Sequence, residues 1–223
     1  MKINADIKTL IRKSNLSYSQ IIQLLIQNYG IKISKSTVSY YKRSQKRLKE
    51  VRFQNIKENE VEWLKGLFLA DGCKFIEKNY SYVVKIALDR YRDGKIIGKL
   101  ARIFERLHIH YNKNYQGNAI IFRVLNKTLF ANLPETNALY ESRDNLAFLA
   151  GLIDGDGCKH GTGAILVQAK NEAMMNCLVR ELNITKHSKV VQTNFGRFKR
   201  TQYYIPKKIC SLIRSENLSE KLS

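Results

Sequence analysis

Two stretches of the chain end in the same acidic pattern. Residues 64–74 read Leu-Lys-Gly-Leu-Phe-Leu-Ala-Asp-Gly-Cys-Lys, and residues 149–159 read Leu-Ala-Gly-Leu-Ile-Asp-Gly-Asp-Gly-Cys-Lys. They align without a gap, which sets Asp71 and Asp156 85 positions apart (156 − 71). A single Asp-Gly closing a helix is an ordinary turn with no chemistry. Two on matched helices differ if the helix ends meet, because adjacent carboxylates repel and a divalent cation relieves the repulsion.

The elements needed for that meeting are legible. Gly66 and Ala70 are four apart, as are Gly151 and Gly155, so each helix carries small residues on one face. Such faces let two helices approach backbone to backbone. Packed about a pseudo-twofold axis, they bring Asp71 and Asp156 together at their C-terminal ends. After each copy the element order repeats. A short strand (73–76 or 158–160) and a second strand (82–88 or 164–168) precede an amphipathic helix (93–107 or 171–182), with Asp93 and Asn171 as matching N-caps. Two more strands follow, ending in 119–125 and 202–205. Each half reads as helix, hairpin, helix, hairpin, helix.

Leu149 to Gly157 reproduce, with one change, the motif of the LAGLIDADG homing endonuclease family, and the chain resembles that family over about residues 60–223. Two motifs in one chain match its monomeric, pseudo-symmetric members. The resemblance implies an α+β fold, a pseudo-twofold αββαββ repeat whose saddle of strands lies over double-stranded DNA. It implies cleavage of both strands across the minor groove, leaving short 3′ overhangs, with Mg2+ or another divalent cation such as Mn2+. Phosphodiester hydrolysis needs an activated water, a stabilised pentavalent phosphate and charge relief on the leaving oxygen, which carboxylate-bridged metals supply. Helix C-termini add partial negative charge that also favours a cation.

By the same resemblance Asp71 and Asp156 bind the metals, assisted by the backbone carbonyls of Ala70 and Gly155. Water positioning falls to the end of the second strand of each half, which is Arg90 and Gln168. A lysine late in each half stabilises the transition state; Lys221 fits in the second half, and the first offers no clear equivalent. Strand residues facing away from the helices would contact DNA, with Lys74, Lys85, Lys159, His160, Lys170, Arg197, Lys199 and Arg200 as candidates, mostly for phosphate. Alternation allows only some of them to do so. Three departures stand out. Lys65 replaces the small residue at Ala150 but lies off the stripe. Leu69 replaces the acid at Asp154, which is not the metal-binding acid. The hairpin turning at Gly161-Thr-Gly is very short and only 67 residues (223 − 156) follow Asp156, so a shortened saddle and a shorter target are expected.

The front of the chain reads as helices only. Ile7, Leu10 and Ile11 recur at helical spacing, as do Tyr18, Ile21, Ile22, Leu25 and Ile26. Ser17 or Ser19 caps the second helix, Gly30 stops it, and Ser34 or Ser36 caps a third. This resembles a helix-turn-helix. Ser34, Lys35, Ser36, Thr37, Ser39 and Tyr40 would contact DNA, with Lys42 and Arg43 on phosphate. A three-helix bundle for protein contacts is the alternative. The expected domains are 1–55, a helix-turn-helix, and 56–223, holding repeats of about 60–143 and 144–223.

Composition agrees. The chain has 223 residues, 44% of them hydrophobic, and a formal charge of +20 from 39 Lys and Arg against 19 Asp and Glu. An anionic polymer is the usual partner for such an excess. No apolar run spans a bilayer and the first ten residues show no signal-peptide pattern. Cys73, Cys158, Cys177 and Cys210 form no CxxC pair, which argues against structural zinc and for an intracellular, reducing setting in cytoplasm or nucleoid. The leading function is a site-specific double-strand DNA endonuclease. A DNA-binding transcriptional regulator that has lost cleavage and an RNA maturase are the alternatives on the same scaffold.

Overall fold

A computed structural model describes residues 4–47, 53–77, 81–135, 142–167, 172–193 and 196–223. The chain divides into two compact units, Met1–Glu50 and Val51–Ser223.

The first unit holds α1 (Ala5–Lys13), α2 (Tyr18–Tyr29) and α3 (Lys35–Arg47). Their ends are fixed as the sequence indicates. Ser17 and Gln20 form a reciprocal capping box, Gly30 adopts a left-handed conformation (φ 63°), and the Ser34 hydroxyl accepts from the Thr37 amide at 3.1 Å. Ile7, Ile11, Ile21, Leu25 and Val38 form its core.

The second unit runs through α4 (Glu58–Asp71), β1 (Gly72–Glu77), β2 (Ser81–Asp89), α5 (Gly94–Arg106), β3 (Tyr111–Gln116), β4 (Ala119–Leu125) and α6 (Lys127–Asn132). It then repeats the order in α7 (Asn145–Asp156), β5 (Gly157–His160), β6 (Gly163–Leu166), α8 (Glu172–Glu181), β7 (Thr185–Thr193), β8 (Gly196–Ile205) and α9 (Lys207–Ser215). The strands make two antiparallel four-stranded sheets, ordered β1-β2-β4-β3 and β5-β6-β8-β7. One fold has thus been written twice, which is the α+β repeat that the sequence predicts. Helices cover one face of each sheet, and alternation sends Val84, Ile86 and Leu88 of β2 and Ile120, Phe122 and Val124 of β4 into the core between.

Two details differ from expectation. Asp93 is the N-cap residue of α5 but makes no side-chain cap bond: its carboxylate turns back to accept from the Asp89 amide at 2.8 Å, closing the turn that enters the helix. The matching Asn171 lies outside the described residues. The second half is not simply shorter either. β5 and β6 have four residues each against six and nine in β1 and β2, but β7 and β8 have nine and ten against six and seven in β3 and β4. Strand length has moved from the inner hairpin to the outer one. Among the described residues no helix is long and apolar enough to cross a membrane.

Candidate active site

The centre of the second unit is the pair α4 and α7. Both are buried almost all round, from Glu62 to Ala70 apart from Lys65, and from Ala147 to Asp154. A Cβ on Gly66 would lie 2.1 Å from the Phe148 carbonyl oxygen and 3.0 Å from the Leu152 nitrogen. A Cβ on Gly151 would lie 2.1 Å from the Trp63 oxygen and 2.8 Å from the Leu67 nitrogen. The shift of 85 that relates the motifs converts Trp63 and Leu67 into Phe148 and Leu152, so each helix offers its partner the same surface, the signature of a twofold axis. Backbone meets backbone, and only glycine fits.

Lower on the stripe the symmetry breaks. Ala70 faces Gly155, and a methyl on Gly155 would stand 2.3 Å from the Ala70 Cβ and 2.9 Å from Asp71 Oδ2. The space holds one methyl. The same contact shows that the Asp71 carboxylate reaches across to the last turn of α7, next to Asp156. Lys65 lies off this seam, half-buried and paired with buried Glu62 at 2.7 Å.

Asp71 and Asp156 are the last residues of their helices and are half-buried. The glycines after them let the chain leave the helix straight into a strand. A Cβ on Gly72 would strike Phe68 at 2.3 Å, and one on Gly157 would strike Ile153 at 2.7 Å. The Lys221 ammonium donates to the Gly155 carbonyl at 2.7 Å and stands 3.4 Å from the Gly157 carbonyl. Carboxylates and carbonyls are hard oxygen donors of the kind that suit Mg2+, Ca2+ or Mn2+. Among the described residues no three His, Cys, Asp or Glu cluster for a metal, so a cation here would rest on two carboxylates, backbone oxygens, and water or phosphate. Asp71 and Asp156 at the ends of the paired helices, with the Gly155 carbonyl in the same turn as Asp156, are of that donor type.

The other candidates are not all brought together. Arg90 follows the end of β2, where Gly72 pairs with Ile86, so it lies roughly 13 Å further along the strand direction. Its guanidinium packs 5.4 Å from the Tyr91 ring and 5.5 Å from the Tyr115 ring. Gln168 and Lys170 lie outside the described residues.

Lys74 points to the helix side of its sheet. Its ammonium is spent on the Phe130 and Leu133 carbonyls, at 3.0 and 2.6 Å, and on Glu135 at 2.7 Å. It closes the C-terminal end of α6. Lys159 likewise shares the helix-side register of Ala164 and reaches the Ser223 carbonyl at 3.3 Å. Lys85 faces the other way, beside Phe75 and in register with Arg123, a residue that sequence reasoning missed. Arg123 pairs with Glu77 at 2.6 Å. On the second sheet His160 is joined by Tyr204 and His187, with ring centroids 6.2 and 5.2 Å from Tyr204. Arg197, Lys199 and Arg200 lie on β8, whose backbone alone is described there.

In the first unit the Ser34 hydroxyl lies 2.6 Å from that of Ser36 and 2.9 Å from that of Thr37, an exposed polar tip on α3. Tyr40 is exposed beside it. Lys42 is tied to the Leu16 carbonyl and lies over the Tyr18 ring, so it braces the bundle.

Comparison with protein-family models and with curated proteins returns no match. Solved structures do match. I-DmoI in complex with DNA and Ca is 19% identical, covers 71% of this chain and 88% of its own, and superposes with a TM-score of 0.52. The complex of I-DmoI with DNA and Mn is 20% identical, with coverage of 73% and 98% and a TM-score of 0.52. Mesophilic variants of the homing endonuclease I-DmoI give 19%, 74% and 97%, with a TM-score of 0.53. The chain therefore has the fold of a homing endonuclease, and the resemblance carried by the two motifs holds at the level of the fold.

Proposed function

We propose that this chain is a site-specific double-strand DNA endonuclease that acts as a monomer and hydrolyses phosphodiesters with a divalent cation. The observation that carries the reading is the pairing of α4 with α7, which sets the Asp71 carboxylate against the last turn of α7 beside Asp156. Two helices stripped to glycine at their contact are a costly way to end two turns. They make sense as a device for holding two acids at one place. The neighbouring fold, seen in complexes of I-DmoI with DNA and Ca or Mn, supports the same reading.

Asp71 and Asp156 would hold the cation, with the Ala70 and Gly155 carbonyls completing its protein ligands. A divalent cation bound there supplies the activated water and the charge relief that hydrolysis requires. Lys221, held on the Gly155 carbonyl, would stabilise the charge that develops on the scissile phosphate. Gln168 is proposed to orient the water in the second half, and Arg90 is not, because its side chain is engaged elsewhere. Lys85, His160, Lys170, Arg197, Lys199 and Arg200 are proposed as saddle contacts, joined by Arg123 in register with Lys85. The first unit is proposed to act as a helix-turn-helix, with Ser34, Lys35, Ser36, Thr37, Ser39 and Tyr40 towards DNA and Arg43 on phosphate.

Incubation with Mg2+ and a plasmid carrying the protein's native locus should give a linear product with short 3′ overhangs. No cleavage across several metals and temperatures contradicts the proposal.

A further inference from the structure

We propose that Asp154, the acid of the second motif that binds no metal, is the positioning residue for Lys221. It fixes the backbone of the chain's last turn so that the Lys221 ammonium stays on the final turn of α7. The chemical consequence rests on the endonuclease reading; the placement does not.

Asp154 is fully buried on an otherwise apolar helix, a position where a carboxylate is tolerated only if it is bonded throughout. Its oxygens are saturated. Oδ1 accepts from the Ser219 hydroxyl at 2.6 Å and the Lys221 amide at 2.9 Å, and Oδ2 accepts from Trp63 Nε1 at 2.8 Å and the Glu220 amide at 3.0 Å. An ionised carboxylate offers about four such acceptor sites. Three of these four donors come from residues 219–221, so the carboxylate grips one turn of chain. Leu222 is buried beside it and its amide donates to the Ser219 hydroxyl at 3.1 Å. Lys99 closes the outside, 4.3 Å from the Trp63 ring centroid, donating to the Leu218 carbonyl and 3.9 Å from Glu220.

With its amide pinned to Asp154 and its ammonium on Gly155, Lys221 spans two adjacent residues of one helix end. Asparagine could not replace Asp154. Whichever way its amide turned, the NH2 group would face either the Lys221 N–H, or the Trp63 and Glu220 N–H groups, all donors without acceptor capacity. The repeat offers a natural control. The first motif has Leu69 at the equivalent position, and the shift of 80 that relates the start of α9 to that of α6 (207 − 127) converts Lys221 into Glu141. The acid and the lysine occur together in the second half, and neither occurs in the first.

The test uses the full chain. Amide hydrogen exchange at Glu220 and Lys221, read without metal or DNA, should be slow in the wild type and in Lys221→Met, and fast in Asp154→Asn. In single-turnover cleavage, Asp154→Asn and Lys221→Met should each slow the reaction by about 10–100-fold without changing DNA affinity, as supporting groups around a metal site do. The double variant should be no slower than Lys221→Met. Should Asp154→Asn fail to fold, Ser219→Ala removes one bond only. It should speed exchange at the same amides, and its slowing of cleavage should vanish in the Lys221→Met background. Unprotected Glu220 and Lys221 amides in the wild type overturn the proposal, as does a double variant whose losses multiply. If the wild type cuts no DNA, the endonuclease reading fails and the exchange result alone decides the placement.

Discussion

Replacing Gly155 by alanine adds one methyl group where α4 and α7 already share one. The new carbon would lie 2.3 Å from the Ala70 Cβ, whereas carbons rest at about 3.5–4.0 Å, so the helices must part by roughly 1.2 Å or more. Overpacking of this kind costs about 1–3 kcal/mol. For a unit the size of Val51–Ser223, each kcal/mol lowers the melting temperature by about 2–4 °C, giving a fall of roughly 2–12 °C. The methyl also meets Asp71 Oδ2 at 2.9 Å, so the acid is displaced with the helix. A misplacement near 1 Å costs about 10²-fold in rate. The sharper expectation concerns rescue. Ala70→Gly in the same chain moves the single methyl from α4 to α7 and should restore most of both losses, although Ala70→Gly alone costs about 1 kcal/mol in helix propensity. Thermal unfolding and single-turnover cleavage of the two single variants and the double variant are the measurements. A neutral Gly155→Ala, or a double variant no better than it, refutes the one-methyl packing. Gly151→Ala should not be rescued by any side-chain change, because its obstacle is the Trp63 backbone at 2.1 Å.

Three further expectations follow from single contacts. Lys74→Ala should cost about 1–3 kcal/mol of stability, since it strands the carbonyls it serves, and should leave the salt dependence of DNA binding unchanged. Lys85→Ala should instead lower the slope of log affinity against log salt by about 0.9 if it neutralises one phosphate, and equal slopes for the two variants contradict that division. Glu60 provides a pH handle. Partial burial pushes its carboxyl up, but the Arg106 guanidinium and the Lys57 amide outweigh this and hold it below the ordinary value. A depressed carboxyl contributes stability above its unfolded value and loses it as pH falls through the folded value, so acid should lower the melting temperature less in Glu60→Gln than in the wild type. The pair is partly exposed and its share is below about 1 kcal/mol; superimposable acid profiles would contradict it. Lys221 serves one half only, so Lys221→Met should slow one strand more than the other and accumulate nicked plasmid, and equal slowing of both strands would count against that assignment.

The architecture was legible because the chain states it twice. Gly66 and Gly151, read with their partners at four-residue spacing, foretold a backbone-to-backbone contact, and the repeated order of strands and helices is the observed one. What failed was direction. Lys74 and Cys73 are neighbours in sequence but lie on opposite faces of β1, and only the pairing of Gly72 with Ile86 says which faces the helices. Arg90 was placed by counting back from the N-cap Asp93, where α5 does begin, but its guanidinium packs against the Tyr91 and Tyr115 rings. Asp154 was read only as the acid that does not bind metal, because its partners are 65 to 67 residues later in the chain, at Ser219 to Lys221. Its one visible signal was an acid in the middle of an apolar helix. That pattern demands a bonded burial site and names no partner.

The central claim is that Asp71 and Asp156 form one composite site serving chemistry rather than binding. Asp71→Asn and Asp156→Asn keep the shape of each side chain and remove its charge. Cleavage and DNA affinity measured in parallel on both variants, with Mg2+ and the native locus, test the claim most directly. Each variant should lose cleavage by at least about 10³-fold, more than the 10²–10³ attributed to one stabilising hydrogen-bond donor, and should still bind DNA. Undiminished cleavage by either variant would contradict the account.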